Sequence, residues 1–195
     1  MKVKTYKEKY SKKAKKRKSF PEKLNDYSWI ITVTISAFFI SLLFSFISEL
    51  TIPNASSVVA TLIIILFIGI GIIFDMIGIS VTVADIKTFN SMATKRIRGA
   101  SLAVKLIHNA SRTSSFCNDV IGDICGIISG SAGVALANIL SRSFNFNLFI
   151  TSLLITAVIA ALTIGGKALG KTTAMNRSTY ILYQFCKVLS IFYKK

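Results

Sequence analysis

The chain has 195 residues, of which 52% are hydrophobic, and a mean hydropathy of +0.61, which is too apolar for a soluble domain of this length. Its 24 Lys and Arg against 8 Asp and Glu give a formal net charge of +16. One histidine and three cysteines without C-x-x-C spacing (Cys117, Cys125, Cys186) leave no zinc site or disulfide framework to expect. With no spacing of nucleophile and base either, the chain does not read as an enzyme.

In chain order, residues 1–26 form a basic tail with eleven of the cations, including "KKAKKRK". A polybasic run beside a membrane helix reads as a topogenic element facing anionic lipid, in preference to a nucleic-acid binder. The first apolar run, Ser28–Ser48, exceeds the 7–15 residues of a signal-peptide core and lacks a small-residue cleavage site, so it reads as a retained helix over about 27–49. Further uncharged runs follow at Thr51–Phe74, Ile124–Ser141 and Ser143–Gly166. A spanning helix needs about 20 such residues, so four crossings are expected.

Between the second and third crossings, Ile86, Phe89, Ala93, Ile97, Ala100, Val104 and Ile107 step by three or four, while Lys87, Lys95, Arg98 and Lys105 fall off that line. This pattern predicts one or two amphipathic interfacial helices over about 85–110. The cluster "SRTSS" from Ser111 is expected to break the pattern and cap the third crossing. Beyond the fourth crossing, Ile181, Phe185, Val188 and Phe192 predict a second interfacial helix over about 177–194, with Ser178 as its N-cap. The three N-x-[ST] matches, at Asn54, Asn109 and Asn176, read as chance.

Eleven cations lie in Met1–Asp26, six between Lys87 and Arg112, and six from Lys167 onward, whereas the loops at Glu49–Ser57 and after Ser141 are almost free of them. Four crossings put all three basic segments on one side, and the positive-inside rule makes that side, with both termini, cytoplasmic. The expected fold is an all-α integral membrane protein with four transmembrane helices plus cytoplasmic-interface amphipathic helices.

Ionisable groups in membrane helices are functional candidates because burying them is costly. Here they are Asp75 at the inner end of the second crossing, Asn118, Asp119 and Asp123 in "CNDVIGD" opening the third, and Lys167 ending the fourth. Oxygen donors of this kind suit hard cations such as Mg²⁺. Asp119 and Asp123 share one helix face; Asn118 shares another with Gly122, Gly126 and Gly130. That glycine ladder is expected to admit a close neighbouring helix, and Gly71, Asp75 and Gly78 offer a matching face on the second crossing.

The stretch "GGKALGKT", Gly165 to Thr172, fits the phosphate-loop pattern G-x-x-x-x-G-K-[ST] letter for letter. The long uncharged run before it is no short strand, and no Asp or Glu follows Asp123 to help hold Mg²⁺. It reads as the end of the fourth crossing.

The order "FDMIGISVTVAD", basic amphipathic helices, "FCNDVIGDICGIISG", a further helix and "GGKALGKTTAMNRSTYILYQFCKVLSIF" resembles the transmembrane domain of the CNNM/CorC (CorB) magnesium-transport family. The likeness spans roughly Leu66 to Phe192, within a domain taken as 57–195 with crossings at about 57–82, 117–141 and 145–166. The family's S-x-x-E-x-A-L-x-S aligns with "IIFDMIGIS", placing Asp75 at the acidic position and Ser80 at the last serine. Its I-G-N-x-L-V-N aligns with "FCNDVIG", placing Asn118 at the first Asn, and its G-E-I-I-P-K aligns with "GKALGK", keeping Lys171. The resemblance implies divalent cation (Mg²⁺ or Co²⁺) transport, a homodimer, and Mg²⁺ as the transported ion in place of any resident cofactor.

Two of the family's three side-chain donors are replaced, the Ser by Ile72 and the Glu by Lys167, and only Asn118 remains. An ammonium about 4 Å from a divalent ion repels it by several kcal/mol at an effective dielectric of about 20. The expected metal site is therefore an altered one drawing on Asn118, Asp75, Asp119 and Asp123, or one in which Lys167 pairs with a carboxylate and takes the ion's place. The tandem CBS domains usual in the family have no counterpart in these 195 residues. A non-transporting scaffold or regulatory subunit that kept the fold and lost the site is the alternative.

Overall fold

The computed structural model describes residues 20–51 and 56–192; most of the basic tail and Asn54 lie outside them. The described residues are helical, with no strand among them. In chain order the elements are α1 (Phe20–Thr51), α2 (Ser57–Val83), α3 (Ile86–Thr94), α4 (Ala100–His108), α5 (Ala110–Ser115), a π-helical segment (Phe116–Gly122), α6 (Asp123–Phe144), α7 (Leu148–Asn176) and α8 (Ser178–Phe192). Four stretches, Tyr27–Ser48, Ser57–Val83, Ala110–Phe144 and Leu148–Asn176, are long and apolar enough to cross a membrane. The chain is an all-α protein of membrane-embedded character.

The chain divides into two compact units, Met1–Ser36 and Ala37–Lys195, with the division inside α1. In the first unit, Thr32 and Thr34 turn their hydroxyls back onto the carbonyls of Ser28 and Ile30 at 2.8 and 2.9 Å, which lets a polar residue sit on an otherwise apolar helix. In the second, the Phe44 ring meets Phe67 of α2 edge to face at 5.9 Å.

The second unit is built on α2, α6 and α7. Ser56 caps α2 by accepting from the Val59 N–H, and Asn147 caps α7 through the Phe149 N–H at 3.0 Å, as short polar side chains do at orphan amide groups. Asn145, in the left-handed conformation at φ 54°, ends α6 and turns the chain into α7 within three residues. Ala60, Ile64 and Ile68 of α2 pack with Ala132 and Leu136 of α6 and Ile159 of α7. Gly133 lies where any added Cβ would meet the Ile159 side chain, so its absence sets the α6–α7 approach.

A second cluster closes one end of this bundle. Ile77, Val81 and Ala84 are buried with Phe89 of α3, Ala103 of α4, Cys117, and Leu182 and Cys186 of α8. Phe89, Leu182 and Cys186 are fully enclosed, so the amphipathic helices are packed caps on one end of the long apolar helices. The turn between α3 and α4 is a Schellman-type cap: the Arg96 N–H reaches the Ala93 carbonyl and the Ile97 N–H that of Met92. It needs left-handed backbone at Arg96 (φ 54°) and at Gly99 (φ 84°).

Several expected boundaries move. The amphipathic region is two helices, and the break after it falls at Asn109; "SRTSS" is itself helical, because Thr113 donates from its backbone to the Asn109 carbonyl and from its hydroxyl towards that of Leu106. The third crossing thus begins a turn and more earlier than 117, at Ala110. The fourth runs ten residues past Gly166, to Asn176, since Lys167 and Lys171 can extend to a polar edge while the backbone stays helical. Ser178 is the first residue of α8, and Arg177 supplies the carbonyl to the Ile181 N–H.

Candidate functional site: a polar junction of three helices

α2 and the π-helical segment run antiparallel, and glycines set how closely they approach. A Cβ added to Gly71 would lie 3.2 Å from the Cys125 Cβ and 3.5 Å from the Gly122 carbonyl oxygen. Two turns further along α2, a Cβ at Gly78 would collide with the carboxamide of Asn118. The helix carrying Asp75 and the helix carrying Asn118 therefore meet, with Asp75 set between the two glycine contacts.

Only the first rung of the expected glycine ladder takes part. Gly126 and Gly130 face open space, whereas Gly122, Gly133 and the small residues Cys125, Ser129 and Ala132 turn inward. From Asp123 onward the helix is regular, and each four-residue step in it drifts by about 40°, so Gly126 and Gly130 move progressively off the face of Gly122.

Asn118 donates from Nδ2 to the Ser114 hydroxyl at 3.4 Å, while its Oδ1 is buried with no hydrogen-bond partner. Ser80, wholly enclosed, likewise has an unpartnered hydroxyl. An unmet buried acceptor costs roughly 1–3 kcal/mol, which makes these two atoms unusual among the described residues. Ser114 escaped the sequence reading; its place four residues before Asn118 was the available signal.

α7 supplies the third wall, running parallel to α2. The Ile72 side chain lies over Gly166 and Gly170, and Met76 also bears on Gly170. Lys167 extends along the junction, its Nζ 3.7 Å from where a Gly122 Cβ would stand, and ends on Asp123 Oδ1 at 3.4 Å. The Lys167 side chain is 26% exposed and that of Asp123 65%.

The candidate residues are thus divided. Asp75 is half-buried, with Lys167 and Lys171 as the cations acting on it and Asp123 and Asp119 as the neighbouring acids. Asn118 is gathered to the same junction, whereas Asp119 and Asp123 are exposed at its edge. Among the described residues no three His, Cys, Asp or Glu side chains converge as a metal-holding group. "GGKALGKT" lies wholly inside α7, so its amide groups are committed to helix and cannot cradle a phosphate.

No family model, curated protein or solved structure matches the chain.

Proposed function

We propose that this is a multi-pass membrane protein of divalent cation transport or homeostasis, of the CNNM/CorC kind, with an altered ion site at the α2–π–α7 junction. The observation that carries the reading is the buried, unpartnered Oδ1 of Asn118, held against Gly78 on the helix that bears Asp75. A desolvated acceptor beside a half-buried carboxylate is an arrangement a hard cation would complete. The positions aligned with the family's donors, Ile72, Asn118 and Lys167, sit on the three elements that meet there.

In this reading, alternating access would work by rocking α2 against the π-helical segment across the Gly71–Gly78 contact. Purified protein in liposomes loaded with a Mg²⁺-sensitive dye tests it. The expected result is Mg²⁺-dependent flux that falls at least tenfold in both Asp75→Asn and Asn118→Ala; flux equal to empty liposomes, or unchanged by both substitutions, sinks the idea.

A second reading, a membrane scaffold or regulatory subunit that kept the fold and lost the site, is favoured by the Lys167–Asp123 pair and by Ile72. The tethered ammonium then supplies the positive charge that a free ion would bring. Here Lys167→Glu should give Mg²⁺-dependent protection against heat where the wild type shows none. Protection of the wild type by Mg²⁺ counts against it.

A further inference from the structure

We infer that the cap formed by the α3–α4 turn and α8 is a binding surface for anionic phospholipid, independent of any ion site. The turn presents Lys95, Arg96, Ile97 and Arg98, all exposed, in succession. It is pinned against α8 at Gly99, where an added Cβ would stand 2.9 Å from the backbone of Cys186 and from the Lys187 nitrogen. Arg98 and Lys187 are each adjacent in sequence to that contact, so the turn's cations and that of α8 gather at one place.

Among the described residues Lys95, Arg96, Arg98 and Lys187 have no salt-bridge partner. After Asp85, whose carboxylate is engaged as the cap of α3 through the Lys87 N–H at 3.0 Å, no acid occurs until Asp119, and none follows Asp123. Cations held together without counter-charge call for an anionic partner.

The neighbouring surface decides which anion. Tyr180, Val188 and Ile191 of α8 are 61%, 56% and 73% exposed. They lie on the same side as Lys187, while Leu182 and Cys186 on the other side are enclosed. A nucleic acid would meet the cations and leave Val188 and Ile191 in water. An amphipathic helix at a bilayer surface satisfies both, with phosphates on the Lys and Arg and acyl chains on the apolar residues. The chain also passes from the end of α2 at Val83 to α3 in two residues, which keeps the cap at the bilayer boundary.

Native mass spectrometry of the full chain, exchanged from detergent into nanodiscs containing equal phosphatidylglycerol and phosphatidylcholine, tests this. The wild type should retain phosphatidylglycerol preferentially. Arg98→Gln with Lys187→Gln should weaken that preference about 25-fold, taking each cation near a surface as worth about fivefold. The charge-keeping pair Arg98→Lys and Lys187→Arg should retain it, which separates lost charge from lost fold. Equal retention of the two lipids by the wild type, an unaltered preference in the Gln pair, or displacement of bound phosphatidylglycerol by a single-stranded oligonucleotide would each overturn the proposal.

Discussion

At the scale of single residues, Gly78 and Asn118 form the contact on which the junction depends. Gly78→Ala should cost about 1–3 kcal/mol, because a methyl group there drives the Asn118 carboxamide out of place. Thermal unfolding in detergent measures it, and Asn118→Ala should relieve part of the loss in the double variant. Cys186 gives a second test, outside the spanning helices. Burial pushes its thiol up to about 12 from an ordinary 9.0. The folded state thus holds the proton more tightly than the unfolded state does. The resulting stabilisation is complete below about pH 9 and is lost as pH rises through the interval to about 12. A maleimide at pH 7 should leave Cys186 unmodified in the folded protein and react once it is denatured. Cys186 reads in the sequence only as an isolated thiol; its burial follows from the packing of α8 onto α2 and α4.

At the scale of elements, the α3–α4 turn joins local conformation to packing. Gly99→Ala places a side chain at φ 84° against the Cys186 backbone, and should cost about 2–3 kcal/mol. Arg96→Gly, at a left-handed helix-ending position that glycine prefers, should be neutral or stabilising by up to about 1 kcal/mol in the same assay. The periodicity of Ile86 to Ile107 shows in the sequence that amphipathic helices lie here. Where they break depends on backbone hydrogen bonds at Ala93, Met92 and Asn109 that composition does not report. For the same reason "SRTSS" misleads: serine and threonine favour caps, yet a Thr hydroxyl that reaches back into the preceding turn leaves them helical.

At the scale of the whole molecule, α2 and α7 run parallel and α6 antiparallel to both. This arrangement gathers Asp75, Asn118, Lys167 and the cations of α3, α4 and α8 at one end, with the Phe144–Leu148 turn at the other. The positive-inside rule predicts that the charged end faces the cytoplasm. In a cysteine-free background, Phe146→Cys should react with a membrane-impermeant maleimide in intact cells, and Asn109→Cys only after permeabilisation. The reverse pattern would refute the topology. The Lys167–Asp123 pair is too exposed to hold this architecture together: Lys167→Gln should lower stability by less than about 1 kcal/mol. A larger loss would show the ammonium to be buried on more sides than Asp123 alone satisfies.

By itself the sequence determined that the chain is helical and membrane-embedded, because about 20 uncharged residues in a row have few alternatives to a spanning helix. It also marked Asp75, Asn118 and Lys167 as residues out of place in apolar helices. Which of these polar groups meet was decided only by tertiary structure. The packing sets Asn118 against Gly78 and leaves Gly126 and Gly130 facing open space. The register of α7 hands Lys167 to Asp123 and covers Ile72 with glycine. Hydropathy depends on how many apolar residues lie in a row and is written locally, whereas contact between helices depends on rotation by fractions of a turn, which only the packed bundle fixes.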